Sequence, residues 1–261
     1  MFSIKHIKLL REVLGYGTEV KPQQSPSFAQ RACQPLRLQQ SCFLCHRLGK
    51  QAICRDCLLE LPWKTESCER CGVSFVSPHQ RVCYECRTWP PAFRHTYALF
   101  DYAYPITNLL HSAKYGGQLA VLNLLAELMA CHLNPKQLPE LFVPVPMHAQ
   151  DLRHRGYNQA LELARGLARR LQRPVDITGV FCTRHKQTQA RLSFVERQEN
   201  VRGLFALQHP ARWKAVEHAA IVDDVVTTGS TVGELTQVLL AAGVKQVDVW
   251  CCARRQGLLR E

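Results

Sequence analysis

The sequence predicts an α/β protein, a parallel sheet flanked by helices, with a small cysteine-rich module in front of it. Two observations carry this. Eight of the thirteen cysteines fall in four Cys-x-x-Cys pairs between Cys42 and Cys86, and beyond residue 91 short apolar runs alternate with segments of helical periodicity. A chain of 261 residues has room for one full α/β domain and something smaller, at roughly 100–200 residues per domain.

Residues 1–40 are expected to be a flexible basic segment. Ile4, Ile7, Leu10 and Leu14 lie at helical spacing among Lys5, Lys8 and Arg11, and Gly15-Tyr16-Gly17 ends the pattern. Residues 18–40 follow, rich in Gln, Pro and Ser and without periodicity. No long apolar region or small-residue cleavage pattern suggests a secretory signal. The most apolar stretch, Leu119 to Leu133, is interrupted by Asn123 and Glu127 and falls short of the ~20 residues of a membrane span.

Residues 41–90 form the cysteine module: Cys42-x-x-Cys45, Cys54-x-x-Cys57, Cys68-x-x-Cys71 and Cys83-x-x-Cys86. Each pair can wrap one side of a tetrahedral metal, so four pairs make two closed all-cysteine zinc sites of the structural kind. Sequential pairing is favoured, and interleaved pairing remains open. A redox role would need one pair beside a βαβ unit, which four regularly spaced pairs do not resemble. Some fifty residues bury little core, so metal binding would supply the folding free energy. Reduced cysteines point to the cytoplasm. Cys33, Cys131, Cys182, Cys251 and Cys252 are expected as small buried apolar residues.

The module ends near Trp89-Pro90-Pro91, and residues 91–261 form the α/β domain. Strands are expected at 97–102, 141–145, 175–183 and 204–208, and helices at 118–132, 158–172 and 193–199. The last unit is the clearest: an apolar strand over Ala219–Val222, a helix over Thr231–Ala242 stopped by Gly243, and a strand over Val247–Cys251. Strand, helix and strand of this length make a βαβ unit and hence a parallel sheet.

Between that strand and helix stand Asp223-Asp224, then Val225-Val226, then Thr227-Thr228-Gly229-Ser230-Thr231. A helix N-terminus offers unpaired N–H groups and a positive dipole end, and small hydroxylated residues let the backbone close round a phosphate. Ligands of open α/β sheets bind beyond the carboxyl ends of the strands, where this turn must lie. Two carboxylates there would repel bare phosphate. They make sense as acceptors for the 2′- and 3′-hydroxyls of a ribose whose 5′-phosphate occupies the turn. On these residues the segment resembles the type I phosphoribosyltransferases, which implies 5-phosphoribosyl-1-pyrophosphate (PRPP), accompanied by Mg²⁺, as ligand.

Further motifs narrow the resemblance. Val143-Pro144-Val145-Pro146-Met147-His148, Leu152-Arg153-His154-Arg155-Gly156-Tyr157-Asn158-Gln159-Ala160, and the run from Thr188-Gln189 through Leu192-Ser193, Arg197 and Asn200-Val201 to Gly203 and Phe205 are similar to those of the ComF/GntX family. So are the four-pair cysteine module, a double zinc ribbon, and Lys114-Tyr115-Gly116. The likeness spans about residues 41 to 255. It implies a type I phosphoribosyltransferase-like domain working in the uptake or use of single-stranded DNA, with a helicase-like competence ATPase as partner and any membrane association made through partners.

Arg153, Arg155, Lys114 and Arg191 are candidates for contacts to pyrophosphate or to a nucleic-acid phosphate, since guanidinium forks suit oxyanions. Thr188, Gln189, Arg197 and Asn200 are weaker candidates for a flap. The formal charge is +12, and residues 153–202 hold eleven Lys/Arg against four Asp/Glu, a balance that suits polyanions. No catalytic residue and no acceptor pocket is identifiable. Two alternatives stand beside a PRPP-binding, DNA-handling protein: an active phosphoribosyltransferase with unknown acceptor, and a zinc-based nucleic-acid or protein adaptor without ligand chemistry.

Overall fold

The structure, a computed structural model, describes residues 40–75, 80–185 and 201–257. The expected flexible segment 1–40 lies outside these except for Gln40, as does the expected helix 193–199.

The cysteine module consists of two knuckles. In the first, β1 (Gln40–Ser41) pairs antiparallel with β2 (Leu48–Gly49), and α1 (Arg55–Leu59) follows. The second is closed by a bridge between Ser67 and Ser74 and ends in α2 (Tyr84–Thr88). The two differ in attachment. Cys42, Ile53, Cys57, Leu58 and Leu61 belong to the main hydrophobic core, whereas Cys68, Cys71 and Cys86 form a small cluster of their own with Val73, Phe75 and Val82.

Four parallel strands make the sheet: β3 (Thr96–Asp101), β4 (Leu141–Pro144), β7 (His218–Val226) and β8 (Gln246–Arg254), in the order β3-β8-β7-β4. The central strands β7 and β8 are buried along almost their whole length. Parallel sheets need both faces covered, and here they are. One face carries α3 (Ile106–Tyr115), α4 (Leu119–His132) and α6 (Gln159–Leu171), which pack Leu109, Leu125, Met129 and Leu163 against Phe100, Phe142 and Trp250. The other carries α7 (Ser230–Ala241) and the antiparallel pair β5 (Val180–Cys182) and β6 (Phe205–Leu207). A 3₁₀ turn over Pro210–Ala215 seats Trp213 in this second core. α4 and α6 approach closely at Gly166, where a Cβ would overlap that of Ala126. Arg170 and Glu127 bridge the same two helices at 2.8 Å.

Three expectations need correction. The segment 175–183 is not one strand. Val175 bridges Phe142, then the Asp176 carboxylate accepts the Gly179 N–H at 2.9 Å and turns the chain, and only Val180–Cys182 is a strand. The strand expected to end at Val222 continues through the acidic pair to Val226. α3 and the short α5 (Ala149–Arg155) were absent from the expected elements.

At the amino end of the sheet, Asp248 has no exposed surface, and its carboxylate accepts from His218 Nε2 (2.8 Å) and from Arg94 Nε (3.1 Å) and Nη2 (3.0 Å). Burial alone would raise its pKa. The His218 and Arg94 hydrogen bonds outweigh burial and hold it below the usual carboxylate value. A depressed folded pKa gives stability that is complete above the unfolded value of about 4 and is lost as pH falls through the folded one. Asp248→Asn is therefore expected to cost about 1.5–3 kcal/mol at pH 7 and to flatten the acid limb of the stability curve. Urea titrations across pH check both. An unchanged acid limb would contradict the assignment.

Candidate functional site

All four strands end at the same edge, and a cavity of about 260 Å³ opens there. Its origin is a difference in strand length. β4 stops at Pro144, opposite Val222, with one further bond from Val145 N–H to the Val222 carbonyl (2.9 Å), while β7 runs four residues on. The space β4 would have filled is the cavity, and Asp223, Asp224 and Val225 line it. Consecutive strand residues point to opposite faces, so both carboxylates serve one cavity only because the neighbouring strand is missing beside them. Each is held by a backbone amide: Asp223 Oδ1 accepts from Asp224 N–H at 2.9 Å, and Asp224 Oδ1 from Val225 N–H at 2.8 Å.

The turn behind them places Gly229 at φ 80° as N-cap of α7, a left-handed conformation that favours glycine. Thr227 and Thr231 line the cavity. Thr228 and Ser230 join hydroxyls at 3.0 Å across the bend. Beneath it, Arg254 donates to the carbonyls of Val226 (3.1 Å) and Thr227.

The opposite wall comes from two helix ends. Lys114 lies in the last turn of α3 and Arg155 in the last turn of α5, and both line the cavity. The Tyr157 hydroxyl donates to the Ala113 carbonyl and so ties these ends together. α5 has no buried residue and is defined by its caps, with His148 Nδ1 accepting from Gln150 N–H at 3.3 Å and Gly156 ending it. Asn158 caps α6 by accepting the Ala160 N–H at 3.0 Å, and its own amide donates to the Val145 carbonyl at 2.9 Å. Gln159 accepts from Arg155 Nη1 at 3.1 Å, while its buried Nε2 has no partner among the described residues. A buried amide donor left unpaired costs about 1–3 kcal/mol.

The eight paired cysteines gather into two groups, Cys42, Cys45, Cys54 and Cys57, and Cys68, Cys71, Cys83 and Cys86, with all ligand atoms of each group within 4.8 Å of one another. This settles the pairing as sequential. A tetrahedral Zn²⁺ with Zn–S near 2.3 Å separates its sulfurs by roughly 3.8 Å. Cys45 and Cys54 are 3.6 Å apart and Cys71 and Cys83 3.8 Å, so the residues fit structural zinc. Backbone N–H groups support the sulfurs, from Cys54 to Cys42 Sγ (3.4 Å) and from Cys83 to Cys68 Sγ (3.3 Å).

Comparison with known proteins agrees with this geometry. Residues 36–87 match the double zinc ribbon domain. Over 222 residues the chain is 34% identical to the DNA utilization protein YhgH of Escherichia coli K12, an alignment covering 82% of this chain and 96% of that one. The chain belongs to the ComF/GntX family. A second relative is Competence protein F of Haemophilus influenzae, 30% identical over 213 residues, with 79% of this chain and 92% of that protein covered. Among solved structures, the glutamine PRPP amidotransferase of B. subtilis, complexed with ADP and GMP, aligns with 50% of this chain and 25% of its own at 20% identity and a TM-score of 0.34.

In this ComF/GntX-family chain, Asp223, Asp224, Thr227, Thr231, Lys114 and Arg155 share one cavity, and Thr228, Gly229 and Ser230 form the bend beside it. Arg153 is exposed and is not part of the cavity wall. Arg191, with Thr188, Gln189, Arg197 and Asn200, lies outside the described residues. Cys251 and Cys252 are buried as expected, whereas Cys131 is only partly buried and Cys182 lines the cavity and donates to the Pro146 carbonyl at 3.2 Å; Cys33 lies outside the described residues. Also unforeseen are His148, Asp151 and Gln159 in the wall, and His185, whose Nε2 lies 3.0 Å from Asp151. A short polar helix with no apolar face leaves no periodic signal, which hides Asp151, while His148 shows in the sequence only as part of a family motif. Among the described residues no helix is long and apolar enough to cross a membrane.

Proposed function

We propose that this chain binds PRPP in the cavity at the carboxyl edge of its sheet, and that it works in the handling of single-stranded DNA during uptake or utilisation. Asp223 and Asp224 accept the ribose hydroxyls, and the turn Thr227–Thr231 receives the 5′-phosphate on its amides and hydroxyls. Lys114 and Arg155 face the Mg²⁺-bound pyrophosphate. The observation that carries the reading is that the acidic pair, the turn and the two cations line one cavity. The DNA part is supported by the names of the relatives, DNA utilization protein and Competence protein F.

The reading is of binding without transfer. Isotope-labelled PRPP incubated with the protein, single-stranded DNA and free bases tests this. Saturable binding without turnover is the expected result. Turnover would replace the reading with a transferase, and absence of binding would overturn it.

The two arginines divide. Arg155 lies in the cavity wall, so Arg155→Ala is expected to weaken PRPP binding about tenfold or more, as for one charge-assisted contact. Arg153 is exposed at the adjoining helix end, so Arg153→Ala is expected to leave PRPP affinity unaltered. It should reduce the salt slope of single-stranded DNA binding by about 0.7, the loss of one phosphate contact. Isothermal titration with PRPP and anisotropy with a labelled oligonucleotide across salt separate these effects, and equal responses from both variants would contradict the division.

A further inference from the structure

The second tetracysteine site and the candidate phosphate turn meet at one residue. Arg254 ends β8 with no exposed surface, so a full positive charge sits in the interior, where an uncompensated cation is costly. Its Nε donates to the Cys71 carbonyl at 2.8 Å. Its Nη1 donates to the carbonyls of Val226 (3.1 Å), Arg255 (2.7 Å) and Thr227. Its Nη2 has no hydrogen-bond partner among the described residues. Carbonyl dipoles alone do not neutralise a guanidinium. Four thiolates around Zn²⁺ carry a formal charge of about −2, and the Cys71 carbonyl that Arg254 holds belongs to one of those ligand residues. The same loop is laid on the sheet by Thr96, whose N–H donates to the Glu69 carbonyl (3.1 Å) and whose hydroxyl donates to the Arg70 carbonyl (2.6 Å).

We propose that Arg254 is a positioning residue that couples zinc occupancy of the second site to the shape of the turn at Thr227–Thr231. The metal fixes the loop that holds the Cys71 carbonyl, and Arg254, anchored on that carbonyl, pins the Val226 and Thr227 carbonyls. Because each peptide unit is planar and trans, a pinned carbonyl aims the following N–H the opposite way. The amides of Thr227 and Thr228 are thereby held pointing away from Arg254. Loss of zinc frees the Cys71 carbonyl, and the turn loosens. Only the ligand arm of the following test rests on the PRPP reading.

Arg254→Met in the full chain keeps similar volume and removes every donor. Zinc content should stay at two per chain, hydrogen exchange of amides in 226–233 should rise about tenfold, and PRPP affinity should fall by a similar factor. Cys86→Ser, which breaks the second site alone, should leave one zinc per chain and raise the same exchange. The two changes should not add, since loss of the second zinc acts on the turn through Arg254. Unaltered exchange in Arg254→Met, or full additivity with Cys86→Ser, would overturn the coupling. Should Arg254→Met fail to fold, Cys86→Ser decides alone, and one zinc per chain with unaltered exchange in 226–233 would overturn it. An unmutated chain that binds no PRPP while Cys86→Ser still raises the exchange would support the coupling and overturn the ligand reading instead.

Discussion

Replacing Asp223 and Asp224 together by Asn is expected to weaken PRPP binding by about 10²–10⁴-fold, on the basis of roughly 1.5–3 kcal/mol for each of two charge-assisted hydroxyl contacts. The fold should tolerate the change. Each carboxylate uses one oxygen to accept a neighbouring backbone N–H, and Asn keeps an acceptor oxygen for that bond. The sign of the effect on a different ligand separates this reading from a plain phosphate site. Two carboxylates repel inorganic phosphate, so the same substitutions should leave phosphate binding unchanged or strengthen it. Titration calorimetry of PRPP and phosphate against both forms checks the pair of signs. A parallel loss of both ligands would point to a collapsed turn.

The second large effect concerns the cysteines. Metal binding of this kind supplies about 10–16 kcal/mol of apparent free energy in isolated finger peptides, comparable to the whole stability of an ordinary domain at about 5–15 kcal/mol. Elemental analysis in reducing buffer should return two zinc ions per chain. The two sites should not be equivalent when broken. Cys57 belongs to the core that contains Phe100, Leu109 and Trp250, so Cys57→Ser should lower the melting temperature of the entire α/β domain. Cys86 belongs to a separate small cluster, so Cys86→Ser should unfold its own knuckle and leave the main transition near its original temperature. Calorimetric melting of the two variants, each carrying one zinc ion, distinguishes them. Identical melting profiles would contradict the asymmetry.

Much of this was legible in the sequence, for definable reasons. The unit from Ala219 to Cys251 combines an apolar run, a small-residue turn and a periodic helix, and each signal is local. The cysteine spacing announced two metal sites, but not their pairing, which depends on how the chain folds between Cys57 and Cys68. The sequence places the acidic pair after the strand, whereas it lies inside β7, because only the early end of β4 makes that part of the strand a site. An arginine at position 254 looks like the charge that closes a strand, and only the packing of the second knuckle against it makes it a buried cation. Gln159 reads as an ordinary first helical residue, and its orphan amide becomes visible once the cavity is drawn.

The most direct test of the account is a crystal of the zinc-loaded protein soaked with PRPP and Mg²⁺. The expected density places the 5′-phosphate within hydrogen-bond distance of the amides of the bend at Thr227–Thr231, with the ribose hydroxyls on Asp223 and Asp224. Ligand bound elsewhere, or a bend left empty at millimolar PRPP, would contradict it.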